Sequence, residues 1–131
     1  MKAAVLIEQY NTERPNNIAD DVKLGWIKKV EGMIIREILE THEVSDLYPE
    51  EGLEEHLASF GMDSELIAKE PYDDVYMFYM DMRNAYNVND NRNYNGASTM
   101  YNNAMLTFQQ YVNRNYEAIN RSKKLMDHSN L

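Results

Sequence analysis

The sequence predicts an all-α fold, a compact helical bundle of about four helices, and three observations carry that prediction. Over residues 26–38, Ile27, Val30, Ile34 and Ile38 recur at three- and four-residue steps, the spacing that places side chains on one side of a helix. Two later stretches, 72–88 and 97–116, show the same period and are read as a long antiparallel helical hairpin. Between the periodic stretches stand clusters of proline, glycine and asparagine, the residues that punctuate helices.

Taken in order, residues 3–12 read as a short helix ended by Arg14-Pro15-Asn16-Asn17. Asp20 or Asp21 then caps a second, amphipathic helix that ends near Thr41 or His42, with Trp26 and Met33 beside its apolar stripe. Residues 43–70 form an acidic irregular connection holding Pro49, Gly52 and Gly61. Leu53, Leu57 and Phe60 are spaced for one short helix within it. A connection of that length in a small domain is either functional or mobile. Pro71 is placed as a first-turn residue of the third helix, where a missing amide hydrogen has no intrahelical partner anyway, and Asp73 and Asp74 suit the positive end of the helix dipole. Val75, Tyr79, Met82 and Tyr86 continue the stripe, widened by Tyr72, Tyr76 and Met80. The asparagine-rich residues 87–95 read as the tight connection to a last helix over 94–118. There Ala97, Tyr101, Ala104, Phe108 and Tyr111 share one face, and the alanines allow close approach of a neighbour.

At 131 residues the chain fits one domain, taken as 1–119, with 120–131 a C-terminal tail that loses periodicity and is frayed or held only by a partner. With 44% hydrophobic and 27% charged residues it has the apolar content to offset chain entropy. The absence of cysteine excludes a disulfide framework, a thiolate zinc site and a cysteine nucleophile. The short apolar run at Ala3-Ala4-Val5-Leu6-Ile7 is interrupted by Glu8 and Gln9 and is kept as structure, not as a signal peptide; no stretch reaches the length of a membrane span. A net charge of -9 opposes binding to phosphate backbones and to anionic lipid. The acidity is uneven, dense over 37–70, whereas Arg114, Arg121, Lys123 and Lys124 make the C-terminal end basic.

Chemistry is harder to seat. The three histidines are far apart in the sequence, and the neighbours His42-Glu43 and Glu55-His56 point in different directions on a helix. Asp73, Asp74 and Asp81 are the best acid-base candidates, lying near the tyrosine stripe, but helix-start and solvent-facing roles account for them. No dinucleotide, Walker, nucleophile-elbow or zinc-protease motif is present. No catalytic, cofactor-binding or metal-ligating residue is therefore assigned. Ten tyrosines and nine methionines exceed what a small core needs, and both types favour protein contacts. Tyr79, Tyr86, Tyr101 and Phe108 are expected in the core. The candidate interface residues are Tyr72, Tyr76, Glu51, Glu54, Glu55, Arg114, Arg121, Lys123 and Lys124, with the acidic stretch of one copy beside the basic end of the next.

The stretch Pro71-Tyr72-Asp73-Asp74-Val75-Tyr76 with Tyr79, and later Tyr94-Asn95, Tyr101-Asn102-Asn103-Ala104, Phe108 and Tyr111-Val112-Asn113-Arg114, resembles a family of small proteins encoded by tailed phages and prophages of Gram-positive bacteria. Trp26-Ile27-Lys28-Lys29-Val30-Glu31-Gly32-Met33-Ile34 with Glu40-Thr41-His42-Glu43 is similar to the same family. The resemblance implies a virion structural protein, a head-tail connector or adaptor forming a ring between portal and tail. Its partners would be portal or tail components and copies of itself, with no direct nucleic acid and no membrane. It would work in the host cytoplasm during assembly and then in the virion. The alternative reading is a cytoplasmic interaction or regulatory module of a mobile element, and a third is an enzyme.

Overall fold

The computed structural model describes residues 1–42 and 45–116, and within them the chain forms five α-helices and two short 3₁₀ turns. The helices are α1 (Ala3–Glu13), α2 (Asp20–Glu37), α3 (Leu53–Ala58), α4 (Asp74–Asn87) and α5 (Asn91–Asn115). The all-α bundle expected from the apolar periodicity is what the chain adopts. Helix α2 is central: α1, α3 and α4 all pack on it, while α5 packs along α4 and reaches α2 through the Tyr101 hydroxyl at Met33. The expected tail, 120–131, lies outside the described residues, as do the last three residues of the expected domain.

The periodic residues of α2 build the core. Ile27, Val30 and Ile34 are fully buried, with Trp26, Ile35 and Ile38 nearly so. Leu6, Ile7 and Tyr10 of α1 and Val75, Tyr76 and Met80 of α4 close over them. The acidic connection is more ordered than its composition implies. Its residues Leu66, Ile67 and Ala68 are buried, and carbonyls of the same loop satisfy amides at the start of α1, Ala3 N–H bonding to Ser64 O and Ala4 N–H to Met62 O at 2.9 Å each. Helix-start amides have no intrahelical acceptor, so a loop folded back on them is held in place. Gly52 precedes α3 with φ of +90°, a backbone setting in which a side chain would be strained.

Four expectations are corrected. The second helix is not capped by an aspartate: Ala19 holds the cap position and Asp20 and Asp21 occupy the first turn, where their charge still favours the helix dipole. That helix ends at Glu37, and a 3₁₀ turn, Leu39–Thr41, carries the chain to His42. Pro71 is not a helical residue. It lies in a turn ahead of α4, after a cis peptide bond from Glu70, because the first carbonyls to accept in the ladder are those of Tyr72 and Asp73. The connection between the hairpin helices is three residues, not nine. Asp90 N–H bonds to Ala85 O and Asn89 N–H to Tyr86 O, with Asn89 at φ of 57°, a closure that ends a helix abruptly and that asparagine tolerates. Asp90 at once caps α5, its carboxylate accepting from Asn93 N–H at 3.1 Å, so the asparagines at 91, 93 and 95 belong to the helix.

The hairpin itself is α4 against α5, with Tyr79, Tyr101, Phe108 and Val112 buried in the seam. The rings of Tyr79 and Tyr101 stand 5.3 Å apart, within the range that favours tilted aromatic pairs. Tyr86 is a further correction, to the predicted core: it is 65% exposed, at the closed end of the hairpin, where its ring stands 6.0 Å from that of Tyr94. No helix among the described residues is long and apolar enough to cross a membrane.

Candidate functional site

Two charged residues interrupt the apolar side of α2. Lys23 and Glu31 stand four residues before and after Ile27, and both are buried, at 1% and 0% exposure. Lys23 reaches back along the turn between α1 and α2, its Nζ donating to Asn11 Oδ1 at 2.5 Å and lying 3.3 Å from Asp20 Oδ1. The hydrogen bond from Asn11, and then that from Lys23, hold the Asp20 carboxyl below its ordinary pKa. Asn16 completes this corner by donating to Asn11 Oδ1 and Arg14 O and accepting from Ile18 N–H.

Glu31 organises a second and more deeply buried cluster. Its Oε2 lies 2.7 Å from His56 Nε2 of α3 and accepts from Ile67 N–H at 3.1 Å. Its Oε1 accepts from the hydroxyl of Tyr76 on α4. Tyr76 oxygen in turn accepts from Ala68 N–H at 2.9 Å, and the other His56 nitrogen, Nδ1, lies 3.0 Å from Glu51 Oε1. An imidazole with a carboxylate at each nitrogen is suited to carry both protons. Burial by itself lowers the His56 pKa, but the hydrogen bonds and charges of Glu31 and Glu51 outweigh it and the net shift is upward. Burial, followed by the charge and hydrogen bond of Glu31, pushes the Tyr76 phenol well above its ordinary value. The cluster joins α2, α3, α4 and the loop at 67–68. Its groups are spent on one another, and Glu31 and His56 have no exposed surface, so the arrangement acts as an internal clamp between helices.

Beside this clamp opens a cleft of about 670 Å³, a volume in the range of ligand-binding sites. Glu51 and Ile67 belong both to its wall and to the clamp. Asp46, Glu50, Asp63 and Glu65 give the rim four further carboxylates, against one cation, Lys69. Leu47, Met62 and Leu66 supply apolar floor. At one edge Tyr116 donates its hydroxyl to Asp46 Oδ2 at 2.9 Å.

The sequence-predicted interface residues are dispersed. Glu51 is exposed at the cleft, while Glu54 and Glu55 are exposed in the first turn of α3. Tyr72 is half-buried and stacked on Tyr111 with centroids 4.7 Å apart. Tyr76 is fully buried and offers no surface; its hydroxyl is committed to Glu31, a correction to its assignment as an interface residue. Arg114 is exposed in the last turn of α5. Arg121, Lys123 and Lys124 lie outside the described residues.

Asp81, expected to face water, is half-buried and paired: Arg14 Nε lies 2.7 Å from its Oδ1 and Tyr10 donates its hydroxyl at 3.1 Å. Asp73 and Asp74 stand at the start of α4 as expected. His42 is buried, its Nδ1 3.0 Å from Ile38 O and its Nε2 2.7 Å from Asn113 Oδ1, which ties the end of α2 to α5. No group of three or more histidine, aspartate or glutamate side chains is arranged to hold a metal ion among the described residues.

The outer surface of α5 is of a different character from the rest. Its 25 residues include no aspartate or glutamate. Met100 and Leu106 are 47% and 50% exposed among asparagine, threonine and glutamine side chains. Sequence reading did not pick out this face, although the missing carboxylates in an acidic chain were a visible signal. It also missed Glu31 and His56 as partners, for which the signal was Glu31 at a four-residue step from Ile27 and Ile35. No protein family, no curated protein and no solved structure matches the chain.

Proposed function

We propose that the chain is a non-enzymatic structural protein of a phage or prophage virion, a head-tail connector or adaptor acting through protein-protein contacts. Its partners are portal or tail components and copies of itself, met in the host cytoplasm during assembly and retained in the virion. The observation that carries the reading is the outer face of α5. In a chain of net charge -9 this 25-residue helix has no carboxylate, and on its exposed surface Met100 and Leu106 stand among uncharged amides. Depletion of charge and the presence of methionine are marks of surfaces that other proteins cover, since there is little charge to desolvate on contact. The resemblance carried by Pro71-Tyr72-Asp73-Asp74-Val75-Tyr76 and Tyr111-Val112-Asn113-Arg114 supports the same reading.

The test is to mix the protein with capsids assembled without it and to count bound copies by quantitative mass spectrometry, beside a Met100→Glu/Leu106→Glu variant. The native chain is expected to bind in a fixed number per capsid and the variant about tenfold more weakly, the equivalent of about 1.4 kcal/mol. Both residues are half exposed, so the variant should melt as the native chain does. Native protein that leaves capsids bare sinks the connector role and favours a regulatory module of a mobile element. Equal binding by both proteins removes α5 as the contact.

A further inference from the structure

We propose that the segment following Tyr116, centred on Arg121, Lys123 and Lys124, docks in the acid-rimmed cleft of its own chain. The proposal does not depend on the connector reading. Three features of the molecule lead to it.

The first is where the described chain ends. Helix α5 stops at Asn115, and Tyr116 leaves it in extended backbone, φ -135° and ψ 142°. Its hydroxyl is bonded to Asp46, a residue of the cleft wall, so the described chain ends at the rim. The second is reach. Arg121 and Lys124 are five and eight residues beyond Tyr116, or up to about 17 and 26 Å of extended chain, and a tether this short sets an effective concentration on the order of millimolar.

The third is complementarity. The cleft has five carboxylates; Glu65 is paired with the N-terminal ammonium and Glu51 with His56, which leaves Asp46, Glu50 and Asp63 beside Lys69. Glu50 and Asp63 take part in no ion pair among the described residues. The segment offers Arg121, Lys123 and Lys124 within the four residues 121–124, beside Ile119, Leu125 and Met126, while Glu117 and Asp127 lie outside the run of cations. Opposite charge between the acidic stretch and the basic end was expected between copies; the position of Tyr116 makes the same contact available within one chain.

The experiment is zero-length carbodiimide cross-linking of the full chain, using an equal mixture of natural-isotope and nitrogen-15-labelled protein, read by mass spectrometry. Cross-links from Lys123 and Lys124 are expected to fall on Glu50 and Asp63, with both peptides of each pair carrying the same isotope. They should fade in 1 M salt, where screening acts within about 3 Å. Arg121→Glu, which leaves both lysines reactive, should lower the yield by up to about fivefold, as reversal of one exposed ion pair does. Its thermal melt serves as the folding control. Pairs of mixed isotope would place a second copy in the cleft and overturn the proposal. Cross-links spread over all surface carboxylates, or unaffected by salt and by Arg121→Glu, would overturn it as well.

Discussion

Replacing Glu31 by alanine removes one acceptor from three buried donors at once. His56 Nε2 at 2.7 Å, Ile67 N–H at 3.1 Å and the Tyr76 hydroxyl all lose their partner. A buried polar group without a partner costs about 1–3 kcal/mol, and breaking a buried ion pair from one side costs about 3–5 kcal/mol. These overlap, since His56 is counted in both, and the expected loss is about 4 kcal/mol. In a domain whose whole stability is about 5–15 kcal/mol, that lowers Tm by about 12–16 °C at about 3–4 °C per kcal/mol. Urea denaturation followed by circular dichroism measures it, with Glu31→Gln, which keeps one carbonyl acceptor, falling between the two. The pH dependence supplies a second readout. The folded pKa of His56 is raised above 6.5, so its contribution is complete below that pH and is lost as pH rises through the folded value. Glu51, whose carboxyl is held below 4.5 by a backbone hydrogen bond and then by His56, acts in the opposite sense, its contribution vanishing as pH falls through its folded value. Native protein should therefore lose stability as pH rises above 6.5, and Glu31→Ala should lose most of that slope. A loss under about 1 kcal/mol, or an unchanged slope, would refute the clamp.

Phe108→Asp and Tyr79→Asp place a charge at positions 2% and 7% exposed and should each cost on the order of 3 kcal/mol, whereas Tyr86→Asp, at 65% exposure, should stay within about 0.5 kcal/mol; chemical denaturation of the three side by side decides, and equal losses would mean the hairpin register is wrong. Asp90→Ala removes the acceptor for Asn93 N–H and should cost about 1 kcal/mol as other helix caps do; faster amide exchange at Asn93 is the accompanying sign, and unchanged exchange there would show that the cap contributes nothing.

Much of the bundle was legible because helix faces repeat locally. Ile27, Val30, Ile34 and Ile38 marked the buried side of α2, and Tyr79, Tyr101 and Phe108 the seam of the hairpin. Errors fell where a single turn decides. Asn89 and Asp90 end one helix and begin the next within three residues, while the run of asparagines around them reads as loop by composition. Pro71 has the chemistry of a helix start and sits before one. Tyr86 keeps the period of Tyr79 and loses its cover, because period describes direction and not what stands opposite.

For the candidate sites the division is sharper. The residues themselves already determined that the chain is helical, that its carboxylates gather before α4, and that α5 has none. Those properties are sums over neighbouring positions, and neighbours are what a sequence displays. Which polar residues are buried was settled only by tertiary structure. Glu31 reads as one more acidic residue of an amphipathic helix until His56, Ile67 and Tyr76, which are 25, 36 and 45 residues away in the chain, supply the donors that hold its charge in the core. A buried carboxylate is stable only with such partners, and their convergence is a property of how α2, α3 and α4 pack, not of any segment alone.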